Sequence, residues 1–532
     1  MEAGSTPRPT RGRVVMLVDN GVQGDSRVQK TARSAAEAGW DVVLLGILSN
    51  GAQENWSIGD ARVRLIRVPR SLGQHPSQFH RSLRRPLAYP PGRHGGYRIQ
   101  RMKAWQAAIE ERRVALAVAR RTGSASLTQR LGGLLAPPAS LAARALGRWA
   151  KFRGGELHRL RLRQQDPDNL ITRTSIRFWQ TLLGPRSWRR LDRGLWDYEL
   201  AFGPVIDQLA PDIIHANDFR MIGVGARAAR RARARGLGTK LVWDAHEFVG
   251  GVLGRADNPR WLPAQVAHVE EYIGAADAVI TVSATLAELL QRTHRLPVRP
   301  DVVLNAPPRP VTGVPDDGGT DVRDACGIDA ATPLLVYCGG VNPSRGVELM
   351  IDALPQLEKL HVALVTLHPT ASNAASEALR ARAVELGVAD RVHLLPYVPH
   401  WRVPAFLASA DAGVIPIHHK PNHELALITK FLEYSHARLP IVVSDVRTMA
   451  DTVRETGQGE VFRAEDVADY LRAVRAVLAD PARYRAAYDR PGLLDGWTWE
   501  AQAEVLEGVY RRLRPDLAPP AAAPTGAAVA AG

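Results

Sequence analysis

The chain has 532 residues, 45% hydrophobic and 23% charged, a globular composition long enough for two or three domains. Its 69 Lys and Arg against 54 Asp and Glu give a net charge of +15. The excess is local: residues 70–200 carry 26 basic and 8 acidic side chains, a net of +18, leaving −3 for the rest. Cys326 and Cys338 are the only cysteines, which excludes a disulfide framework and a four-thiolate zinc site and points to a reducing compartment.

Along the chain, residues 1–12 are polar, contain Pro7 and Pro9, and read as a disordered leader. The apolar run 14–18 that follows is too short for a signal-peptide core. No run of about 18 apolar residues occurs, so the expectation is a cytoplasmic protein that at most lies on the inner face of a membrane. Residues 14–18 read as a strand ending in the turn Asp19-Asn20-Gly21. A helix over 27–38 is closed by Gly39, and a second strand covers 41–48. Further strands are expected at 213–214, 240–243 and 278–282, separated by helices. A second alternating run has strands at 334–337, 362–366, 392–394, 413–416 and 441–443.

Strand–helix alternation of this kind predicts an α/β protein with two parallel, doubly wound sheets, which bind ligands at the carboxyl ends of their strands. Residues 305–321, rich in Pro, Gly and Asp, read as the linker between an N-terminal domain (13–304) and a C-terminal domain (322–490). The tail, 515–532, reads as disordered.

The block 70–200 interrupts the first domain. Its stretch 126–152 has helical spacing, with Leu127, Leu131, Leu134, Leu135, Leu141, Leu146 and Trp149 on one side and Arg144, Arg148, Lys151 and Arg153 around them. Trp105, Trp179, Trp188 and Trp196 add side chains of the kind found at membrane interfaces. Basic residues beside Leu and Trp suit an amphipathic helix on an anionic membrane surface. A helical insertion that covers the domain or mediates self-association fits as well. Nucleic-acid binding is disfavoured because no recognisable binding module is present.

Two segments carry chemistry. In residues 334–354 a strand ends at Cys338, Gly339-Gly340 follow, and Arg345-Gly346 precede a helix. Glycines let the backbone approach a ligand, while helix amides and Arg345 supply positive potential for a diphosphate. In residues 423–445, Thr429-Lys430 open a helix and Glu433 lies three residues on, sharing a face with Lys430. The lysine suits a phosphate and the carboxylate the two hydroxyls of a ribose; the alternative is a solvated ion pair.

Together these segments, strand–Gly-Gly–x4–Arg-Gly–helix and Ile-x-Lys-x2-Glu-Tyr-x4-Leu-Pro-Ile-Val-x-Ser-Asp, resemble the retaining glycosyltransferases of family 4. So do Leu394–Pro399 and Ala410–Pro416, and in the first half Gly24–Val28, Ala38–Val42, His215–Asp218 and Val242–Glu247. The resemblance covers roughly residues 13–70 and 200–500 and implies a GT-B fold of two facing Rossmann-like domains, with the helical basic segment as an insertion.

It further implies that residues 491–514 form a helix crossing back onto the N-terminal domain. It implies a nucleoside-diphosphate sugar as donor and a hydroxyl acceptor, such as a lipid-linked or cell-envelope glycan. By that resemblance His246, Arg345 and Lys430 are catalytic. Gly339, Gly340, Tyr397, Val398, Glu424, Thr429 and Glu433 bind the donor, and Gly24, Asp25, Asn217, Asp218 and Glu247 shape the acceptor side. No metal or other cofactor is expected, since no Asp-x-Asp stands at a strand end.

Two positions depart from the family pattern: Gly340 stands where an arginine is common, and Leu425 where the first of two glutamates eight apart is usual. A sugar-nucleotide epimerase, or a catalytically silent scaffold that binds a membrane or partner, are the rival readings.

Overall fold

The computed structural model describes residues 11–49, 51–69, 72, 85–90, 94–121, 123, 126–165, 170–255, 258–309, 320–366 and 374–517. Eight strands make the first sheet: β1 (Arg13–Leu17), β2 (Asp41–Ile47), β3 (Asn55–Ile58), β4 (Ala61–Ile66), β5 (Ile213–Asn217), β6 (Lys240–Ala245), β7 (Ala278–Thr281) and β8 (Asp301–Val302). Their order is β3-β4-β2-β1-β5-β6-β7-β8. All neighbours run parallel except β3 and β4. The central strands β1 and β5 are buried along almost their whole length, on both faces, as in a sheet covered by helices on each side. Helix α1 (Ser26–Glu37) follows β1; Asp25 caps it by accepting the Val28 N–H, and Gly39, at φ +93°, ends it.

A second compact unit comprises Arg70–Asp197 together with Leu253–Ala267, so the basic segment recruits a short stretch beyond the 70–200 expected. Its helices are α2 (His94–Arg121), α3 (Leu127–Gln165) and α4 (Leu170–Leu183). Helix α3 continues through Pro137 and Pro138. It packs on α2 through Ile109, Ala136 and Ala143, with the Gln106 side chain donating to the Ala143 carbonyl at 3.0 Å. Trp188, expected at an interface, is fully buried against Trp196 with ring centroids 5.3 Å apart, because it fills the core of this unit. The side chains of Leu134 and Leu135 lie outside the described residues.

The second sheet returns to the first unit. It contains β9 (Leu334–Cys338), β10 (His361–Val365), β11 (Val392–Leu395), β12 (Ala412–Ile415), β13 (Ile441–Ser444) and β14 (Gly459–Phe462), in the order β11-β10-β9-β12-β13-β14. Helices α5 (Thr429–His436), α6 (Arg447–Thr456) and α7 (Trp499–Leu513) complete the parts that matter here. Each apolar run read as a strand forms one. The sequence reading omits β3, β4, β8 and β14, the first three on edges or half-exposed and the last only four residues long.

Helix α7 ties the unit together. The Trp499 amide donates to the Pro307 carbonyl at 2.8 Å and its indole to Ser34 on α1 at 2.7 Å. Trp40 donates to Glu507, and the Tyr510 hydroxyl meets His215 Nδ1 at 2.7 Å, both side chains fully buried.

Arg11 belongs to this packing, although it falls in the expected disordered leader. Its guanidinium stacks on Trp40, 4.4 Å from the ring centroid, and bonds Glu507 at 2.7 Å. Pro515–Leu517, at the start of the expected tail, form a short turn whose last carbonyl accepts from Arg11. Residues 1–10, 310–319 and 518–532, the remainder of the leader, linker and tail, lie outside the described residues.

The Tyr510–His215 bond generates a stability prediction. Tyr510→Phe leaves the His215 ring nitrogen buried without its partner and should cost about 1–3 kcal/mol in chemical denaturation. An unchanged midpoint would show that the bond carries no stability.

Candidate active site

The carboxyl end of β9 opens into a glycine turn that two contacts require. At Gly339, φ is +137° and a Cβ would lie 3.0 Å from Lys430 Nζ. At Gly346, φ is +63° and a Cβ would lie 2.0 Å from the Pro416 carbonyl. The Tyr337 hydroxyl donates to the Gly340 carbonyl at 2.8 Å and steadies the turn. Lys430, in the first turn of α5, is buried with its ammonium 3.9 Å from the centre of the Tyr337 ring. Arg345 stands at the other end of the turn and forms no ion pair among the described residues.

Two cavities meet at this turn. One, of about 220 Å³, is lined by Gly339, Gly340, Tyr397, Val398, Thr429, Lys430 and Glu433, together with Thr366 and His400. The other, of about 390 Å³, shares Gly339, Gly340, Thr429 and Lys430. It adds Arg345 and three residues of the first sheet's side, Asp25, Arg27 and His246. Lys430 and Glu433 are therefore not a solvated surface pair. Burial pushes the Lys430 ammonium down to about 7, Arg345 adding to the effect. Burial pushes the Glu433 carboxyl up to about 7 against the opposing pull of Lys30 and Lys430.

Glu424 is not among the residues lining either cavity. Its carboxylate bonds His419 at 2.5 Å and accepts the Arg447 N–H at the start of α6 at 2.8 Å, so it anchors a helix terminus. Thr429 lines both cavities, but its hydroxyl accepts from the Asn305 side chain at 2.9 Å.

On the opposite wall, Asp244 at the end of β6 is buried and held by Arg27 from α1 through two bonds of 2.9 Å. Arg27 also donates to the Val303 carbonyl at 2.6 Å. Burial alone would raise the Asp244 carboxyl; Arg27 and His246 overcome it and hold the group well below the usual range. His246 lies between two carboxylates, its Nε2 3.4 Å from Asp244 and its Nδ1 3.3 Å from Asp218. Burial disfavours its cationic form, but Asp218 and Asp244 outweigh that and raise it well above an ordinary histidine.

Asp218 occupies the left-handed region at φ +64°, a strained conformation that turns its carboxylate towards His246. Glu247, beside it, is pushed up to about 6 by burial and by Asp218. Asp25 caps α1 and lines the larger cavity, whereas Gly24, at φ +85°, serves the turn before it. Asn217 is fully buried and donates to the Leu17 carbonyl at 3.0 Å, so it bridges β5 to β1 and does not face the cleft.

Known proteins resemble the chain in sequence and in fold. Residues 142–306 match the family described as Glycosyltransferase Family 4, and residues 332–480 match Glycosyl transferases group 1. The chain belongs to glycosyltransferase family 4. The first match begins inside α3, so the family likeness reaches into the segment that the sequence motifs leave out.

D-inositol 3-phosphate glycosyltransferase 1 of Catenulispora acidiphila is 26% identical over 322 residues, covering 56% of this chain and 72% of that protein. Glycogen synthase of Mycobacterium tuberculosis is 26% identical over 313 residues, covering 56% and 68%. Among solved structures, sucrose-phosphate synthase from Thermosynechococcus elongatus superposes with a TM-score of 0.59 at 15% identity, over 95% of this chain and 100% of that one. Anabaena HepE in complex with UDP and glucose gives 0.53 at 12% identity, over 94% and 100%. These structural likenesses are of fold, two parallel-sheet α/β domains in the GT-B arrangement.

In this family 4 glycosyltransferase the motif residues gather around the two cavities, but their supports escape sequence reading. Arg27 and Lys30 sit three apart on α1, a spacing equally suited to a solvated face. Only their burial, at 4% and 8% exposure, sets them apart from a surface pair, and Arg27 alone of the two lines a cavity. The group of His/Cys/Asp/Glu side chains needed to hold a metal ion does not occur among the described residues.

Arg27→Met would leave Asp244 charged and unpaired in the interior and should destabilise the glycosyltransferase by about 3–5 kcal/mol. Asp244→Asn in the same chain should recover part of that loss in a double-mutant cycle of urea melts. Additive losses would mean that the two groups are not coupled.

Proposed function

We propose that this glycosyltransferase moves a sugar from a nucleoside-diphosphate sugar to an acceptor hydroxyl with retention of configuration and without a metal ion. The observation that carries the reading is the buried Lys430 ammonium at the Gly339-Gly340 turn, with Arg345 unpaired on the same cavity wall. A dehydrated cation with no carboxylate in contact among the described residues suits an anionic ligand. The diphosphate would restore Lys430 to its charged state.

As the bond to the sugar breaks, negative charge grows on the leaving phosphate, and fixed cations stabilise that charge more in the transition state than before it. The departing phosphate oxygen then takes the proton of the acceptor hydroxyl, which attacks from the same face. Glu433 and the backbone around Tyr397 and Val398 hold the nucleoside. His246, between Asp218 and Asp244, faces the cavity where the sugar would lie. Names of relatives, among them an inositol phosphate glycosyltransferase and a glycogen synthase, support transfer to a hydroxyl of a carbohydrate or polyol.

The acceptor we favour is a lipid-linked or cell-envelope glycan met at the inner face of a membrane, and the second unit supports this. No described helix is long and apolar enough to cross a bilayer. Helix α3, however, exposes Leu127, Leu131, Leu141, Leu146, Trp149 and Phe152. These lie within about a quarter turn of one line, since Leu131 and Trp149 are five helical turns apart. Trp149 and Phe152 stack in the open with centroids 5.6 Å apart. Beside them Lys103, Arg144, Arg148 and Lys151 line a groove between α2 and α3 and form no ion pairs among the described residues. An apolar face flanked by unpaired cations suits an anionic lipid surface.

Lys430→Ala should lower donor turnover, read as sugar-nucleotide hydrolysis or transfer, by about 10²–10³-fold while the melting temperature without ligand holds. Thermal stabilisation by a UDP- or GDP-sugar should disappear in the same variant. Normal turnover would reject the reading.

For the second unit, the full chain should sediment with phosphatidylcholine vesicles only when phosphatidylglycerol is present, and less so as salt is raised. Trp149→Ser with Phe152→Ser should abolish the association. Equal sedimentation with neutral vesicles, or indifference to these substitutions, would remove the membrane from the proposal.

A further inference from the structure

The loop that follows His246 is held by a side chain from the other wall of the larger cavity. Asn422 stands in the short helix Pro421–Leu425. Its carboxamide oxygen accepts the Phe248 N–H at 2.9 Å, and its amide nitrogen donates to the Phe248 carbonyl at 3.1 Å. One side chain thus meets both polar groups of a single residue, as a neighbouring strand would. Only one end of a carboxamide accepts and only the other donates, so these two partners fix its orientation. Phe248 opens the tight turn Val249–Gly251, and Gly251 lets the helix come close: a Cβ there would lie 2.9 Å from the Pro421 Cβ.

The clamp stands beside the reacting groups of both walls. His246, two residues before Phe248, lines the larger cavity, and so does the run Ala426 to Lys430 that begins where the Asn422 helix ends. The same helix is tied to the phosphate turn. His423 Nδ1 meets the His418 carbonyl at 2.7 Å, and the His418 amide donates at 3.1 Å to the carbonyl of Ser344, the neighbour of Arg345. Two further contacts cross between the walls: Ser283 donates to the Leu425 carbonyl at 2.5 Å, and the Thr285 and Thr448 hydroxyls meet at 3.1 Å. Both reach the segment after β7, whereas Asn422 holds the chain next to His246.

We propose that Asn422 is a positioning residue of the transfer reaction: it pins the loop after His246 to the wall that carries Arg345 and Lys430, and so fixes the distance across the cavity at which these groups act on one donor. The proposal rests on reading this cavity as the site of transfer from a nucleoside-diphosphate sugar.

Nucleotide affinity and turnover should then part company. Arg345, Lys430 and Glu433 share one wall and would hold a nucleoside diphosphate whether or not the loop is pinned. Reaction at the sugar needs both walls at once, and catalytic groups lose effect steeply when misplaced by about 1 Å. The clamp also demands asparagine. Aspartate keeps the acceptor but sets a second oxygen against the Phe248 carbonyl, and leucine, of similar size, makes neither bond.

The test uses the full chain and whichever UDP- or GDP-sugar it turns over. In Asn422→Leu, hydrogen exchange of the peptide spanning residues 246–252 should quicken about tenfold. Its kcat should fall about tenfold, while the dissociation constant of UDP or GDP stays within about twofold of the wild type. Asn422→Asp should lie between the two. Gly251→Val, which forces Pro421 away from the opposite side of the same contact, should reproduce the split and serves if the Asn422 variants fail to fold. An unchanged kcat despite faster exchange would overturn the proposal, as would unchanged exchange. A loss of nucleotide affinity equal to the loss of kcat would make Asn422 a support of the donor wall alone and overturn it too. If the wild type turns over no UDP- or GDP-sugar and binds neither UDP nor GDP, the transfer reading itself fails and takes the positioning role with it, even where exchange still shows the clamp.

Discussion

Asp244 has almost no access to solvent, so its charge must be answered inside the protein, and the bidentate Arg27 answers it. Much of the first sheet's cleft wall follows from that one pair. Arg27 projects from α1 because Asp25 caps the helix at the required point, and its remaining donor reaches Val303 beyond β8. Asp244, fixed in this way, presents one oxygen to His246 at 3.4 Å and to His215 at 3.6 Å. His215 is in turn held by Tyr510 of α7. Ion pair, cavity-lining histidine and C-terminal helix therefore form one connected network. Two well-packed apolar residues in place of Arg27 and Asp244 would satisfy the fold equally well. What they could not do is hold His246 cationic, and that is the strongest physical reason for charge at this depth.

The architecture is legible in the sequence because parallel strands buried on both faces are short β-branched runs, as at Val14–Leu17 and Ile441–Ser444. Strands at and next to the edges are not: β4, beside the edge strand β3, alternates buried and exposed residues, and the edge strand β8 has only two residues. The cleft follows the same division. Gly339, Gly346, Lys430 and Glu433 are readable because a glycine turn and a helix start impose fixed spacings. Glu424 falls outside the lining of both cavities, and a carboxylate near a phosphate loop and one that caps α6 look alike in one dimension. Asn217 likewise lies outside it, since a polar residue at a strand end serves β-sheet bridging as readily as substrate. Lys30, Arg27, His215 and Tyr510 matter through contacts across 200 residues or more, which no local pattern encodes.

The donor side shows how a missing side chain can be tolerated. A Cβ at Gly340 would meet nothing within 4 Å, so the turn has room for the larger residue common in the family. The space belongs instead to the cavity. Positive potential along the cavities then falls to Arg345 and Lys430. Burial makes Lys430 a weaker cation when the cavity holds no anion. A desolvated lysine of this kind responds to an arriving diphosphate by gaining charge, a response that permanently charged arginine cannot give.

The net charge of +15 separates into two physically different populations of cations. In the first unit, arginines such as Arg27, Arg231 and Arg323 are committed to carboxylates and carbonyls, and the sum of charges is close to balance. In the second, Arg144, Arg148, Lys103 and Lys151 are exposed beside a groove and beside unpaired apolar side chains. Paired cations build structure and are insensitive to what lies outside. Unpaired ones repel each other across α2 and α3, a standing penalty that only an external anion removes. Codon bias towards arginine could raise the number of basic residues everywhere, but it cannot withhold the matching acids from one hairpin. The scarcity of acids there is therefore the informative part of the composition.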